Sequence, residues 1–458
     1  MKKVIVNKFG GGIMIPEHIY EALKRVEEQL KEGYQPIIVV SALKGVTDKL
    51  INIFNQVANF AKDEKDIKPE DIDDVIDEVV LQVRKKHIDM LDFLKFNQDI
   101  HKKTLEEFEI IFDKLRSDLN AIKRFGSLDI FKDRILSFGE KLSALLFASF
   151  LSHNKIESKR YKTDEVPVIL TNDKHLDANI NFEISSKSIK EEFKKLKNLV
   201  PVLTGFIGRN EKGNTTTLGR GGTDTTACFV AASLEAEKVI LWKDVPGVMS
   251  ADPRIIKNAK SVPYLSYKEA EESGKVIHDK AIQYIKKVKT KAEIASILDY
   301  QKKTVVGPED KNIKGVKIIS SRKNLTFIEI TDNKMNESGF LFQITKVFND
   351  YGVNMVFIRN TRDSLKFVIE NNDMQEYFLI NLKDKYSFES SNVNMVNVIG
   401  NLNWGMVNDF NDSLARICDD PQIGAFPYKN CVRLEAIVNP DETDKVLKEL
   451  HKIFIENK

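Results

Sequence analysis

Residues 218–254, LGRGGTDTTACFVAASLEAEKVILWKDVPGVMSADPR, constrain this chain's fold more tightly than any other stretch. Gly219, Gly221 and Gly222 allow positive φ and let a backbone come close to a ligand. Thr223 or Asp224 is placed to cap the following helix, whose N-terminal N–H groups would then face an anion. Residues 225–234 are small and apolar, which suits a helix packed tightly on a sheet. The helix leads to a buried strand, and Asp244, Val245, Pro246 and Gly247 form the turn that ends it. Arg220 projects from the glycine turn with a fork suited to carboxylate or phosphate. A glycine turn alone is weak evidence, since a plain strand–turn–helix with a solvated arginine reads the same way.

Three further turns carry the same kind of signal. Val4, Ile5 and Val6 lead into Asn7, Lys8, Phe9, Gly10, Gly11 and Gly12. Pro16 then opens a stretch with Ile19, Leu23, Val26 and Leu30 at helical spacing. This arrangement places backbone donors near a phosphate, with Lys8 as a point charge. It is neither a Walker A loop nor a dinucleotide fingerprint, because the required Gly-Lys-Ser/Thr and GxGxxG spacings are missing. The apolar strand 36–40 ends in Ser41, Ala42, Leu43, Lys44, Gly45, Val46 and Thr47. The hydroxyls of Ser41 and Thr47 can bind a small polar substrate or serve only as turn and cap residues. Ser137, Phe138, Gly139 and Glu140 precede the apolar run 142–151. Glu140 reads as opening a buried helix, where it either benefits from the helix dipole or meets a substrate ammonium.

In this order, KFGG, SALKGVTD, GEKLSALLFASFL, VLTGFIG, GRGGTDTTA, DVPGVMSADPR and KVIH together resemble the aspartate kinases of the amino-acid-kinase family. The match covers about the first 300 residues, and the tail resembles that family's paired ACT regulatory modules. The resemblance implies an α/β amino-acid-kinase fold over 1–299, a mainly parallel sheet between helices. A connector at 300–323 and two ferredoxin-like ACT-type modules, 324–390 and 391–458, would follow. It implies ATP-dependent phosphorylation of the L-aspartate side-chain carboxylate, the first step towards lysine, threonine and methionine. A carboxylate is ionised at neutral pH, so no general base is needed. The task reduces to positioning two anions and neutralising charge on the transferred phosphoryl group.

The roles carried over by the resemblance are specific. Lys8 would bridge the phosphates and the reacting carboxylate, and Asp224 would orient it. Arg220 would hold the aspartate α-carboxylate and Glu140 its ammonium, with Ser41, Thr47, Gly221, Gly222 and Thr223 beside them. Gly10, Gly11, Gly12, Lys243, Asp244, Met249, Arg254 and Lys275 would contact ATP. Mg²⁺ would be held mainly by the ATP phosphates, with no protein metal site. The chain departs from the family where Gly12 and Ile13 replace Thr-Ser, where Lys243 replaces Thr, and where Met249 replaces Tyr. Lys243 either reaches the nucleotide or snorkels to solvent. Asp279 stands where Pro is common, and His278 reads as structural.

Composition sets outer limits. A chain of 458 residues with 42% hydrophobic content supports two or three domains. The net charge of +2 argues against nucleic acid as the main partner. Cys228, Cys418 and Cys431 make neither a disulfide framework nor a metal site. A strand begins almost at once without a signal-peptide pattern, and no apolar run approaches a membrane span, so a cytoplasmic protein without membrane contact is expected. Residues 63–123 read as a charged helical insertion whose charges form a solvated face.

Two loosely repeated units follow. The first has strand 325–330, helix 340–351 and strands 353–358 and 365–369. The second has strand 394–400, helix 409–418, strand 432–438 and helix 443–454. In the family, such pairs mediate homodimers and bind amino-acid effectors, which here points to Met335, Ser338, Gly339, Phe340, Leu341, Asn354 and Met355. Lysine-sensing members carry Ser-Val-Asp where this chain has Asn354, Met355 and Val356, and Arg362 replaces a nearby Glu. Simple lysine inhibition is therefore not expected. No later dinucleotide fingerprint follows, so a monofunctional chain is expected. Two other readings stay open: a relative acting on glutamate, carbamate or a nucleotide, and a non-catalytic amino-acid sensor.

Overall fold

The computed structural model describes residues 3–60, 69–126, 128–166, 168–194, 199–274, 276–310, 312–332, 337–361, 363–372, 375–418, 422–423 and 432–457. Two compact units emerge: Met1–Val248 with Ser261–Glu309, and Met249–Lys260 with Asp310–Lys458.

The first unit runs β1 (Val4–Phe9), α1 (Ile19–Lys31), β2 (Gln35–Val40), α2 (Val46–Phe60), α3 (Pro69–Phe93), α4 (Gln98–Phe125) and α5 (Asp129–His153). It continues through β3 (Ser158–Tyr161), β4 (Leu170–Thr171), α6 (Phe182–Phe193), β5 (Val200–Thr204), β6 (Ile207–Asn210), β7 (Thr215–Thr217) and α7 (Gly222–Ser233). It closes with β8 (Lys238–Lys243), β9 (Tyr264–Ser266), α8 (Tyr267–Ser273), α9 (Asp279–Val288), β10 (Lys291–Ser296) and β11 (Lys303–Gly307).

Its main sheet has eight strands in the order β3-β5-β2-β1-β8-β10-β11-β9. All pairings in it are parallel except β10 with β11. The central strands are near-continuous apolar runs because both faces are covered, the pattern expected of a parallel sheet. Beneath the site, Asn7 and Gln29 exchange side-chain hydrogen bonds of 2.7 and 2.9 Å, and Trp242 Nε1 donates to Asn7 Oδ1 at 2.9 Å. This buried network satisfies each amide and ties β1, α1 and β8 together.

Helix α7 is buried along its whole length, including its polar residues Thr223, Asp224, Thr225, Thr226 and Ser233. Helix α5 is long and apolar enough to cross a membrane by composition, a length the sequence reading underestimated. In the fold, 83% of that apolar stretch is buried inside the protein. The insertion forms α3 and α4. Its face is not wholly solvated, since Phe108, Phe112 and Leu119 join the main core and His87 is fully buried.

The second unit contains β12 (Gly315–Ile330), α10 (Phe340–Asp350), β13 (Met355–Asn360), β14 (Leu365–Glu370), α11 (Gln375–Lys383), β15 (Phe388–Asn401), α12 (Trp404–Ile417), β16 (Gln422–Ile423), β17 (Arg433–Val438) and α13 (Thr443–His451). All pairings in its sheet, ordered β13-β14-β12-β15-β17-β16, are antiparallel.

This architecture corrects the expected boundaries. The stretch 300–323 is not a connector, for it supplies β11 to one unit and the first half of β12 to the other. Strand β12 pairs with β15 along its length, with a register shift between Arg322 and Leu325. Its first half serves the α12–α13 module and its second half the α10–α11 module. The first module is therefore inserted into the second rather than placed before it. Helix α12 begins at Trp404, capped by Asn403 Oδ1, five residues before the expected start at Asp409.

Candidate active site

The glycine turn of residues 219–222 is held from two sides. Asp133, fully buried at the start of α5, accepts from Thr217 N at 3.1 Å and from Leu176 N at 3.1 Å, which fixes β7 and the chain leading to Leu218. Leu218 N donates to Phe206 O at 2.9 Å, and Phe206 sits at φ 70° in the bend between β5 and β6. Gly219 and Gly221 take φ of 75° and 72°, whereas Gly222 is already helical. A Cβ on Gly221 would lie 2.5 Å from His278 Cβ, so the turn packs directly on that histidine. The helix cap is Gly221 and no side chain caps α7. The expectation that Thr223 or Asp224 caps it is corrected: the Asp224 carboxylate turns to Lys8.

A cavity of about 290 Å³ opens at the C-terminal ends of the central strands, where ligands bind in open α/β sheets. It is lined by Lys8, Ser41, Thr47, Glu140 and the turn 220–224, which includes every residue expected to be catalytic or substrate-binding. Phe206 and Gly219 complete the lining. Lys8 Nζ lies 2.7 Å from Asp224 Oδ1, with both side chains nearly buried. Burial alone would push the Asp224 carboxyl up. Lys8 first, then Lys243 and His278, outweigh burial and hold it below the usual carboxylate range. Arg220 is exposed at the rim.

Glu140 is not at a helix start, contrary to the sequence expectation. Helix α5 begins at Asp129, so Glu140 lies in its interior, away from the N-terminal dipole. Gly139 serves close packing, since a Cβ there would stand 2.7 Å from Ala42 Cβ. Glu140 Oε1 accepts from Ala42 N at 3.1 Å, and Oε2 is buried without a partner among the described residues. Burial pushes the Glu140 carboxyl up to about 8, against smaller opposing effects of its hydrogen bonds.

The nucleotide-side residues divide. Lys8, Gly10, Gly11, Gly12, Lys243 and Asp244 gather at the ends of β1 and β8. Ile13 N and Met14 N both donate to Gly10 O, and His18 Nδ1 lies 2.9 Å from Gly12 O. Among the described residues, the N–H groups of Gly11 and Gly12 donate to no protein acceptor. Ile13 is 1% exposed and joins the core, so that departure from the family pattern points away from the cavity.

Met249 and Arg254 belong to the second unit. Ser250 Oγ meets His451 Nε2 at 2.9 Å, Ile319 N donates to Ser250 O at 2.7 Å, and Ala251 and Ile256 join the core around Phe410 and Leu450. The Arg254 guanidinium is 90% exposed and paired with Asp252 at 2.6 Å. Lys275 lies outside the described residues, as do Met335, Arg362 and Cys431. Of the expected effector residues, Ser338, Gly339 and Leu341 are exposed at the start of α10, while Phe340 is buried. Asn354 Nδ2 donates to Glu370 Oε2 at 2.8 Å.

Sequence reasoning missed Asp133, Phe206 and the Asn7–Gln29–Trp242 network. Asn7 was legible in principle, as a polar residue directly before Lys8 in an apolar strand. Asp133 gave no local signal, because its partners lie 42 to 84 residues away.

A mainly parallel α/β sheet that presents glycine turns and a buried lysine–aspartate pair at its strand ends defines an anion-handling α/β enzyme domain. The chain belongs to the amino acid kinase family, whose model matches residues 3–296. It is 26% identical over 396 residues to an aspartokinase of Rickettsia felis, covering 84% of this chain and 79% of that protein. The structure of E. coli aspartokinase III in complex with lysine and aspartate, in the T-state, superposes with a TM-score of 0.81 at 21% identity over 99% of both chains. The R-state of that protein with aspartate and ADP gives 0.79 at 22% identity, covering 98% of this chain and 99% of that one.

Proposed function

We propose that the chain is an aspartate kinase, which transfers the γ-phosphoryl group of ATP to the side-chain carboxylate of L-aspartate and yields 4-phospho-L-aspartate and ADP. The observation that carries this reading is the cavity itself, where Lys8 paired to Asp224 faces Glu140 and the Arg220 turn. Oε2 of Glu140, without a partner among the described residues, would accept from an α-ammonium once the carboxyl has lost its proton. The Arg220 fork at the rim suits the α-carboxylate. Ser41 and Thr47 flank the substrate, and the N-terminal turn of α7 offers N–H groups to an anion.

An attacking carboxylate oxygen forms a bond to the γ-phosphorus while the bond to the β–γ bridging oxygen breaks, and that electron pair leaves on ADP. No proton changes owner. Lys8 holds the attacking carboxylate and a γ-phosphate oxygen together, and Asp224 keeps the ammonium aimed between them. The N–H groups of Gly11 and Gly12 and the Asp244 turn receive the nucleotide. ATP enters as its magnesium complex, with the metal carried on its phosphates.

The second unit supports a regulatory reading: an amino-acid effector at the turn before α10 and beside Asn354 and Met355, within a homodimer in the cytoplasm. A titration of lysine and threonine against activity tests the effector. ADP release with aspartate, glutamate, carbamate and UMP as acceptors tests the reaction. Turnover confined to aspartate supports it, while turnover with another acceptor or with none overturns it.

A further inference from the structure

Strand alternation places Lys243 on the same face of the sheet as Lys8, two residues further along. In β1, Ile5, Asn7 and Phe9 face the core under α1 and α5, and in β8, Ile240 and Trp242 face the same way. Lys8 and Lys243 therefore share the opposite face, which carries α7 and Asp224. The register sets Trp242 against Phe9, so Lys243 ends β8 at the level of Gly10. Its backbone is fixed there by Ile297 N donating to Lys243 O at 2.8 Å. A Cβ on Gly10 would lie 3.1 Å from Lys8 Nζ, and one on Gly12 would lie 3.8 Å from Asp244 Oδ2. The glycine turn thus runs between the Lys8 ammonium and the Asp244 carboxylate.

Lys8 shares its charge with Asp224. Among the described residues, Lys243 forms no ion pair within 4 Å. It lies close enough to Lys8 for that charge to be the largest influence lowering its pKa, against Asp224 and Asp244, which raise it. Two ammonium groups share this end of the sheet with the Asp224 and Asp244 carboxylates, and the repulsion between them would be relieved by an anionic guest.

We propose that Lys243 is a second catalytic cation, donating to the transferred phosphoryl group while Lys8 remains paired to Asp224. This rests on the phosphotransfer reading and deepens it. As the carboxylate oxygen bonds to phosphorus and the bridging bond breaks, charge spreads over the equatorial and bridging oxygens. The Lys243 ammonium neutralises that charge without losing its proton. A snorkelling lysine at the same position would leave phosphoryl transfer unchanged.

The test compares the full chain with Lys243→Met, Lys243→Thr and Lys243→Arg. Steady-state ADP release is measured against ATP and aspartate, and equilibrium binding of ATP and ADP by calorimetry. Lys243→Met and Lys243→Thr are expected to lower kcat about 10²-fold, the typical cost of losing one charge-stabilising donor. KM for aspartate should hold, and ATP affinity should fall more than ADP affinity. Lys243→Arg should retain most of the activity. Unchanged kcat and unchanged ATP preference in both neutral variants overturn the proposal. If the unaltered chain turns over no aspartate, the reaction assignment fails, while the binding comparison still decides whether Lys243 reads the γ-phosphate.

Discussion

Lys8 Nζ and Asp224 Oδ1 stand 2.7 Å apart at the base of the cavity, joined from two strand–turn units more than 200 residues apart in sequence. Both are nearly buried, so removing one leaves the other exposed to a desolvation penalty. Breaking such a pair typically costs about 3–5 kcal/mol, and the cost here should fall below that because Lys243 remains near Asp224. Lys8→Met is expected to destabilise the chain in urea and abolish aspartate turnover. Lys8→Met combined with Asp224→Asn should regain much of the stability and none of the activity. A double variant with wild-type turnover would remove the pair from the mechanism.

Glu140 is expected to make substrate capture pH-dependent. Its carboxyl is pushed by burial from an ordinary 4.5 to about 8, so the empty site holds it neutral at pH 7. Between those values the folded state binds more protons than the unfolded, so folding stability falls as pH rises through that window. An α-ammonium needs the carboxylate, so kcat/KM for aspartate should climb with pH and level near 8. Glu140→Gln should flatten both profiles and weaken aspartate binding. A flat profile in the unaltered chain contradicts this role.

Lys243 should cost stability where it serves the reaction. The Lys8 charge first, with burial adding to it, lowers the Lys243 pKa despite the attraction of Asp224 and Asp244. The folded state thus prefers the neutral amine. The penalty is fully present at neutral pH and is relieved as pH rises through the lowered pKa. Without nucleotide, Lys243→Met should therefore melt higher than the unaltered chain. Calorimetric melting at pH 7 checks this, and a lower melting point counts against it.

Gly221 is the least replaceable residue of the turn. Its φ of 72° and the position of His278 leave no room for a side chain. Gly221→Ala should cost at least about 1–2 kcal/mol from the left-handed conformation alone. It should also reduce turnover by displacing Arg220 and Asp224. Urea unfolding and ADP release read the two effects, and a neutral substitution in both would contradict the packing described.

The parts of this fold legible in sequence were those with local causes. Apolar strands ending in glycine turns marked Lys8, Ser41 and the turn 220–224, and the structure gathers them in one cavity. Glu140 was identified, but its place inside α5 was not legible, because the apolar run 142–151 that follows it reads as the start of a buried helix. The division at Val248 was not legible. The run from Asp244 to Arg254 reads as one block, yet the second unit captures residues 249–260 through Ser250, Ala251 and Ile256, whose partners lie as far as 201 residues away. The insertion of one regulatory module into the other was hidden for a related reason. Only the pairing partner of β12, not its own pattern, reveals that it serves two modules.

Trapping the product with hydroxylamine tests the central claim most directly. An acyl phosphate on the aspartate side chain reacts to give aspartyl hydroxamate, while a phosphate ester or simple ATP hydrolysis does not. The full chain with ATP, Mg²⁺ and L-aspartate should form aspartyl hydroxamate in step with ADP, and Lys8→Ala should form neither. ADP release without hydroxamate, or hydroxamate formation that survives Lys8→Ala, would contradict the account.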